Sequence, residues 1–338
     1  MEKKKHFIES YPLTRMRRNR SKAFSRRLIK ENSLSVDDLI LPLFITSGKN
    51  IEEEINSMPG VFRLSPDRLL KLLEAVVSLD IPAIALFPYI DKELKDSSGT
   101  HALDDDNLVC QTVRLIKKEF PELGVICDVA LDPYTDHGHD GIIINNDVDN
   151  DKTVEILTKQ ALNQAAAGCD IVAPSDMMDG RVAAIRKCLD KNQYINTQIM
   201  SYAAKYASSF YGPFRDAVGS ILKHNNIDKS SYQMGPENSD EAIREVSLDI
   251  SEGADMVIIK PGMPYLDIIS RVKKECNIPV FAYQVSGEYS MIALASKNGY
   301  FDLEGAMMES LIAFKRSGAD GILSYFSIEA AKILKSNK

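Results

Sequence analysis

Beyond residue 36 the chain alternates short apolar runs with longer amphipathic stretches, and few folds accommodate that alternation. The runs are 39–45 (LILPLFI), 83–88 (AIALFP), 124–130 (GVICDVA), 169–175 (CDIVAPS), 197–203 (TQIMSYA), 254–261 (ADMVIIKP), 278–285 (IPVFAYQV) and 320–326 (DGILSYF). Each is rich in β-branched or aromatic residues and mostly continuous, the pattern of strands buried on both faces. Between them lie helical patterns such as 67–80, 153–168 and 241–253. Gly168-Cys169-Asp170, Gly253-Ala254-Asp255 and Gly318-Ala319-Asp320 each mark a join, with glycine as the left-handed helix stop before a strand. Eight strand candidates separated by helices predict a (β/α)8 TIM barrel over residues 36–338, preceded by an arm over residues 1–35. A doubly wound open sheet is the alternative, but no GxGxxG or P-loop follows any of these strands.

Charge separates the arm from the body. Residues 1–30 hold eleven basic and two acidic side chains, a net +9, inside a chain whose total is −7. The body is therefore strongly acidic and a poor nucleic-acid binder. The arm also carries Phe7, Ile8, Tyr11, Pro12, Leu13, Phe24 and Leu28. Such anchors suit a segment lying on an acidic surface, its own or a neighbouring subunit's, better than a solvated tail. No apolar run approaches the ~20 residues of a membrane span, and no apolar segment follows the N-terminal charges; the expectation is a cytoplasmic protein. The five cysteines are scattered and form no CxxC pair, so disulfides and a thiolate zinc site are not expected. Cys127, Cys169 and Cys276 read as buried small hydrophobes.

In a TIM barrel the reactive residues sit at the C-terminal strand ends. Two lysines fall there: Lys260 ends the sixth run and Lys205 follows the fifth. Four apolar residues precede Lys260, and an ammonium in such surroundings is costly. Burial or a second cation lowers its pKa and leaves a nucleophilic amine able to condense with a ketone. Two such lysines near one mouth would depress each other's pKa and accept two carbonyl substrates. Asp128, Ser175, Asp176, Ser286 and Tyr325 stand at the other strand ends, and their joint placement argues for a site. Arg215, in the loop YGPFRDA, suits a carboxylate clamp, although a surface ion pair explains it equally well. Asp128, Asp132, Asp136, His137, His139 and Asp140 form a polar cluster whose donors would favour a hard cation over structural zinc.

Taken together, YPLTRMRRNR, DVALDPYTDHGHDG, APSDMMDGR, MSYAAKYASSFYGPFRDA, YQMGP, EGADMVIIKPGMPYLDI, AYQVSGEY and DGILSYF resemble the porphobilinogen synthase (5-aminolevulinate dehydratase) family over nearly the whole chain. The resemblance implies a lyase of haem biosynthesis that condenses two 5-aminolevulinate molecules into porphobilinogen. It further implies a homo-oligomer, usually an octamer, whose arms wrap neighbouring subunits. By motif match, Lys205 and Lys260 would each form a Schiff base. Arg215, Lys229 and Gln233 would hold one substrate carboxylate, and Ser286 and Tyr325 the other. Asp128, Ser175, Tyr202, Tyr211 and Tyr283 would orient the amines and imines. The stretch 206–233 resembles the family's mobile lid.

One departure bears on metals. Zinc-using members carry three cysteines where this chain has Ala130, Asp132 and Asp140, so a thiolate-held catalytic zinc is not expected. The resemblance is to the aspartate-bearing, magnesium-responsive class. It implies an allosteric Mg2+ at Glu245, with Asp249 holding its waters; whether Asp132 and Asp140 of the polar cluster hold a cation is a separate question. Two other readings remain at this point. A class I aldolase-like barrel needs one imine lysine, and the basic arm could serve as an anion-binding module on an inert barrel.

Overall fold

The computed structural model describes residues 10–220 and 227–336. The chain divides after Ser33 into two compact units. In the first, short helices span Arg17–Arg20 and Ala23–Leu28. Tyr11, Leu13, Phe24 and Leu28 are largely exposed there. The proposed anchors Phe7 and Ile8 lie outside the described residues.

The second unit is a closed barrel of eight parallel strands: β1 Leu39–Thr46, β2 Ala83–Tyr89, β3 Gly124–Val129, β4 Ile171–Pro174, β5 Gln198–Lys205, β6 Met256–Lys260, β7 Val280–Gln284 and β8 Gly321–Ser324. Closure comes from Leu39 and Ile40 of β1 pairing with Ile322 and Leu323 of β8. All eight expected runs become barrel strands. The helices Pro66–Ser78, Asn150–Ala167 and Asp240–Glu252 fall where periodicity placed them. Of the four further strands among the described residues, Glu52–Glu54 and Phe62–Leu64 form a hairpin that pairs onto β1, and Ile143–Ile144 and Asp147–Val148 form a separate one. Two or three residues are too few to show a period, so these hairpins are absent from the sequence reading.

The three Gly-x-Asp joins share one construction. Gly168, Gly253 and Gly318 adopt φ of 103°, 106° and 104°, closing their helices in the left-handed region that L side chains avoid. The following aspartates bond back to the preceding strand. Asp170 accepts the Val125 N–H at 2.8 Å, Asp255 that of Ile199 at 2.7 Å, and Asp320 that of Val280 at 2.7 Å. Each also meets a cation from a neighbouring helix: Lys117, Arg186 and Lys273 respectively. The aspartate thus satisfies a strand-start amide at the closed end of the barrel and fixes where the next strand begins. With the N-terminal ends pinned in this way, the C-terminal ends are free to carry chemistry.

Aromatic rings fill the mouth. Phe44, Phe87, Tyr202 and Tyr283 are fully buried, with Phe87 and Tyr283 centroids 6.2 Å apart and Tyr202 and Tyr283 6.4 Å apart. Among the described residues no helix is long and apolar enough to cross a membrane. All five cysteines are free thiols; Cys110, Cys127 and Cys169 are buried, whereas Cys276, expected inside, is only half-buried.

Candidate active site

Lys205 and Lys260 are the last residues of β5 and β6 and occupy paired positions in the ladder. Lys205 therefore belongs to its strand rather than following it. Strand residues in register on neighbouring strands point the same way, so both amines rise into the mouth about 5 Å apart at the backbone. Each residue is 5% exposed. Asp128, Asp132, Asp140, Ser175, Tyr211, Phe214, Arg215, Lys229 and Gln233 line a narrow cavity with them.

Around Lys205 the walls are charged. Its Nζ donates to Asp140 Oδ1 at 3.1 Å and to the Ser175 carbonyl. The other Asp140 oxygen accepts from Lys229 Nζ at 2.6 Å and from the Tyr232 hydroxyl at 2.8 Å. Burial works against the Asp140 charge, but Lys205 and Lys229 outweigh it and hold the carboxyl far below the usual range. Burial likewise disfavours the Lys205 ammonium, yet Asp140, Asp132 and Asp128 raise its pKa overall. The expected mutual depression of the two lysines is therefore wrong for Lys205: a counter-ion 65 residues upstream overrides its neighbour.

Around Lys260 the walls are rings. Its Nζ stands 4.8 Å from the Phe214 centroid, 5.0 Å from Tyr283, and 5.1 Å from both Tyr202 and Tyr211. Burial first, then the Lys205 charge, lowers its pKa to about 7. The expectation holds here. Asp128 is pushed up to about 7, chiefly by burial and then by Asp132, with Lys260 opposing. Asp132 is raised by burial and by Asp140.

Ser286 and Tyr325 lie behind the rings. The Tyr325 hydroxyl bonds the Tyr283 hydroxyl at 2.9 Å. Ser286 Oγ accepts the Phe214 N–H at 2.9 Å. Two participants escaped the sequence reading, Phe214 and Tyr232. Both sit inside quoted motifs beside chosen residues, so the only available signal was adjacency. Of the stretch read as a lid, residues 221–226 lie outside the described residues.

The metal expectations divide. Asp140 has both oxygens committed to two ammonium groups and a hydroxyl, a donor set that does not fit a divalent cation. Asp249 is also committed: Arg181 meets it at 3.1 and 3.2 Å, and Ser201 donates to it at 2.6 Å. Its strongest partner is thus a buried guanidinium rather than a hydrated ion. Glu245 itself is raised by burial; Arg181 opposes that, and Asp249, Asp179 and Glu241 add to it. With Glu241 and Asp179 it lines a separate cleft, shared with Tyr232 and Gln233. No group of three or more His, Cys, Asp or Glu side chains among the described residues is placed to hold a metal.

Comparison with known proteins supplies the family. The family model for delta-aminolevulinic acid dehydratase matches residues 13–333. A delta-aminolevulinic acid dehydratase of Bradyrhizobium diazoefficiens is 62% identical over 95% of this chain and 91% of its own length. One from Rhodobacter capsulatus is 49% identical over 96% and 97%. The solved structure of the Toxoplasma gondii enzyme, in complex with the reaction product porphobilinogen, superposes with a TM-score of 0.94 at 44% identity, covering 96% of this chain and 92% of that one. These matches span barrel and mouth alike, and the chain belongs to the delta-aminolevulinic acid dehydratase (porphobilinogen synthase) family.

Proposed function

We propose that this mouth condenses two 5-aminolevulinate molecules into porphobilinogen through imines on Lys205 and Lys260. By family the enzyme is a hydro-lyase of porphyrin and haem biosynthesis. The observation that carries the imine reading is the pairing of two buried lysines in one ladder position, one in an ion-pair network and the other in an aromatic cage. An aldolase-like site needs one such lysine, and an inert barrel needs none.

Each amine adds to a substrate C4 ketone and expels water, and the resulting imine is an electron sink that acidifies the neighbouring carbon. A carbon–carbon bond between the two substrates and a carbon–nitrogen bond from one substrate's amine then form as both lysine amines are expelled and regenerated, giving the pyrrole with loss of two waters overall. The two halves of the mouth divide the work. Lys229, Arg215 and Gln233 supply the cationic and amide donors for one carboxylate, with Asp140 displaced from Lys229 as substrate enters. Ser286 and Tyr325 receive the other beyond the rings. Asp128 Oδ1 and Gln233 Oε1 are buried without a hydrogen-bond partner among the described residues. Such atoms are costly unless a ligand satisfies them, and the substrate's amino group is a donor of the right kind. Ser175 and Tyr202, Tyr211 and Tyr283 shape the imine pocket and limit water.

The regulatory part of the proposal is a Mg2+ at Glu245, in a cleft that reaches the active site through Tyr232 and Gln233. The assembly part is an octamer with exchanged arms, for which the exposed arm anchors offer contact area. Borohydride reduction with labelled 5-aminolevulinate tests the chemistry: adducts at both Lys205 and Lys260 are expected, and adducts at neither would overturn it. EDTA should lower activity and Mg2+ restore it; activity indifferent to both would remove the magnesium. Deleting residues 1–30 should yield smaller assemblies by sedimentation, and an unchanged assembly size would remove arm exchange.

A further inference from the structure

Glu288 is a buried carboxylate that the chemistry above does not use. It lies in the first turn of the helix Ser286–Lys297 and is fully shielded from solvent. Among the described residues its charge is met by backbone alone. Oε2 accepts the Val285 N–H at 2.6 Å and the Gly262 N–H at 3.3 Å, and Oε1 accepts the Met263 N–H. Burial pushes the carboxyl up to about 7 in spite of these three donors. A buried charge without a counter-ion is expensive, so the positions of its donors are informative.

Gly262 and Met263 follow Lys260 by two and three residues, and Val285 immediately precedes Ser286. One side chain thus ties the exit of β6 to the exit of β7. Both exits are tightly packed. A Cβ on Gly262 would lie 2.5 Å from the Phe314 ring and 2.8 Å from the Tyr283 carbonyl. A Cβ on Gly287 would lie 2.5 Å from the Phe210 carbonyl. Ser286, held at the same turn, accepts the N–H of Phe214, whose ring faces the Lys260 amine. The connection runs from Glu288 to the backbone behind Lys260 and, through Ser286, to the ring in front of it.

The geometry points to Glu288 as the positioning residue of the Lys260 half-site, fixing the 261–263 loop and Ser286 so that the amine stays among its rings. A carboxylate suits the task because it only accepts, and it has sites for all three N–H groups. A glutamine would turn its NH2 toward one of them. Lys205 has no such dependence: its contacts come from Asp140 and Ser175, in the loops that follow β3 and β4.

The inference rests on Lys260 forming an imine, and the experiment keeps the two questions apart. Full-length wild type, Glu288→Gln and the milder Glu288→Asp are each reduced with borohydride in the presence of labelled 5-aminolevulinate, and the adducts are mapped by peptide. If the wild type carries no adduct at Lys260, the imine reading fails whatever Glu288 does. If it carries both, the Gln variant should lose labelling at Lys260 by about tenfold, the effect of one charge-assisted hydrogen bond, with Lys205 labelling unchanged. The Asp variant, which keeps the charge but falls short of at least one donor, should show the same one-sided loss to a smaller extent. It answers the question if the Gln variant does not fold. Equal losses at both lysines, or full labelling at Lys260 in both variants, would overturn the assignment.

Discussion

Lys205 and Lys260 share a ladder position, a depth and a strand end, yet their surroundings drive their protons in opposite directions. Lys205 is held charged by Asp140, and Lys260 is discharged toward neutrality by burial and by Lys205 itself. The difference lies in what stands beside each amine, not in the lysine or its strand. Near neutral pH a large fraction of Lys260 is free amine, whereas Lys205 is an ammonium. In the proposed reaction Lys205 would become a nucleophile only once its proton is taken up, and substrate entry that displaces Asp140 would be the event to do that.

The sharpest way to break this comparison is to delete one side. Lys260→Ala should lower turnover by on the order of 10⁶-fold, as removal of a covalent nucleophile does elsewhere. Borohydride labelling at Lys205 should persist, because its environment comes from other residues. Simultaneous loss of both adducts would show that the two amines act as one unit. Next in size is Asp140→Asn, which leaves two buried ammonium groups without their carboxylate. Breaking a buried pair from one side should cost about 3 kcal/mol in urea unfolding at neutral pH. The sign with pH follows from the lowered carboxyl. Its contribution is complete above the ordinary carboxylate value of ~3.9 and is lost only as pH falls below that, so the variant's deficit should shrink in acid. A deficit that stays constant down to pH 3 would remove Asp140 from its role.

The wild type sharpens the comparison without mutation. With Lys260 lowered to about 7, its free-amine fraction falls about tenfold for each pH unit below that point. Single-turnover labelling at Lys260 should therefore rise with pH to a plateau with a midpoint near 7. Labelling at Lys205 should follow a different curve. Superimposable profiles would mean that the two environments do not act separately.

The sequence carried the barrel because its signal is local: each run is short and apolar, and three of the eight are opened by a Gly-x-Asp join. What those aspartates do was not visible, since Asp320 reaches a strand amide 40 residues away. The site was legible where strand ends and motifs place residues, as with both lysines and Asp128. It was illegible where side chains choose partners. Asp140, expected at a metal, spends its oxygens on Lys205 and on Lys229, 65 and 89 residues downstream. Asp249, expected near an ion, belongs to Arg181. Nothing in a run of polar letters distinguishes a carboxylate awaiting a cation from one already bound to two ammonium groups.

The smallest effect tests what the rings around Lys260 do. They could act in two opposing ways. Their faces attract an ammonium, by about 0.5–2 kcal/mol, which would raise the lysine's pKa. Their bulk excludes water, and burial of this kind lowers a lysine by as much as 3–5 units, or several kcal/mol. The second effect is the larger, in keeping with burial as the leading cause of the shift to about 7. Phe214 stands nearest, at 4.8 Å, and is only half-buried, so trimming it opens the cage to solvent without emptying the core. Phe214→Ala should therefore move the midpoint of Lys260 labelling upward by a fraction of a pH unit, lowering the rate at neutral pH modestly and leaving the alkaline plateau intact. A downward shift would mean that cation–π attraction dominates, and that the aromatic half stabilises charge in its own way as the carboxylate half does.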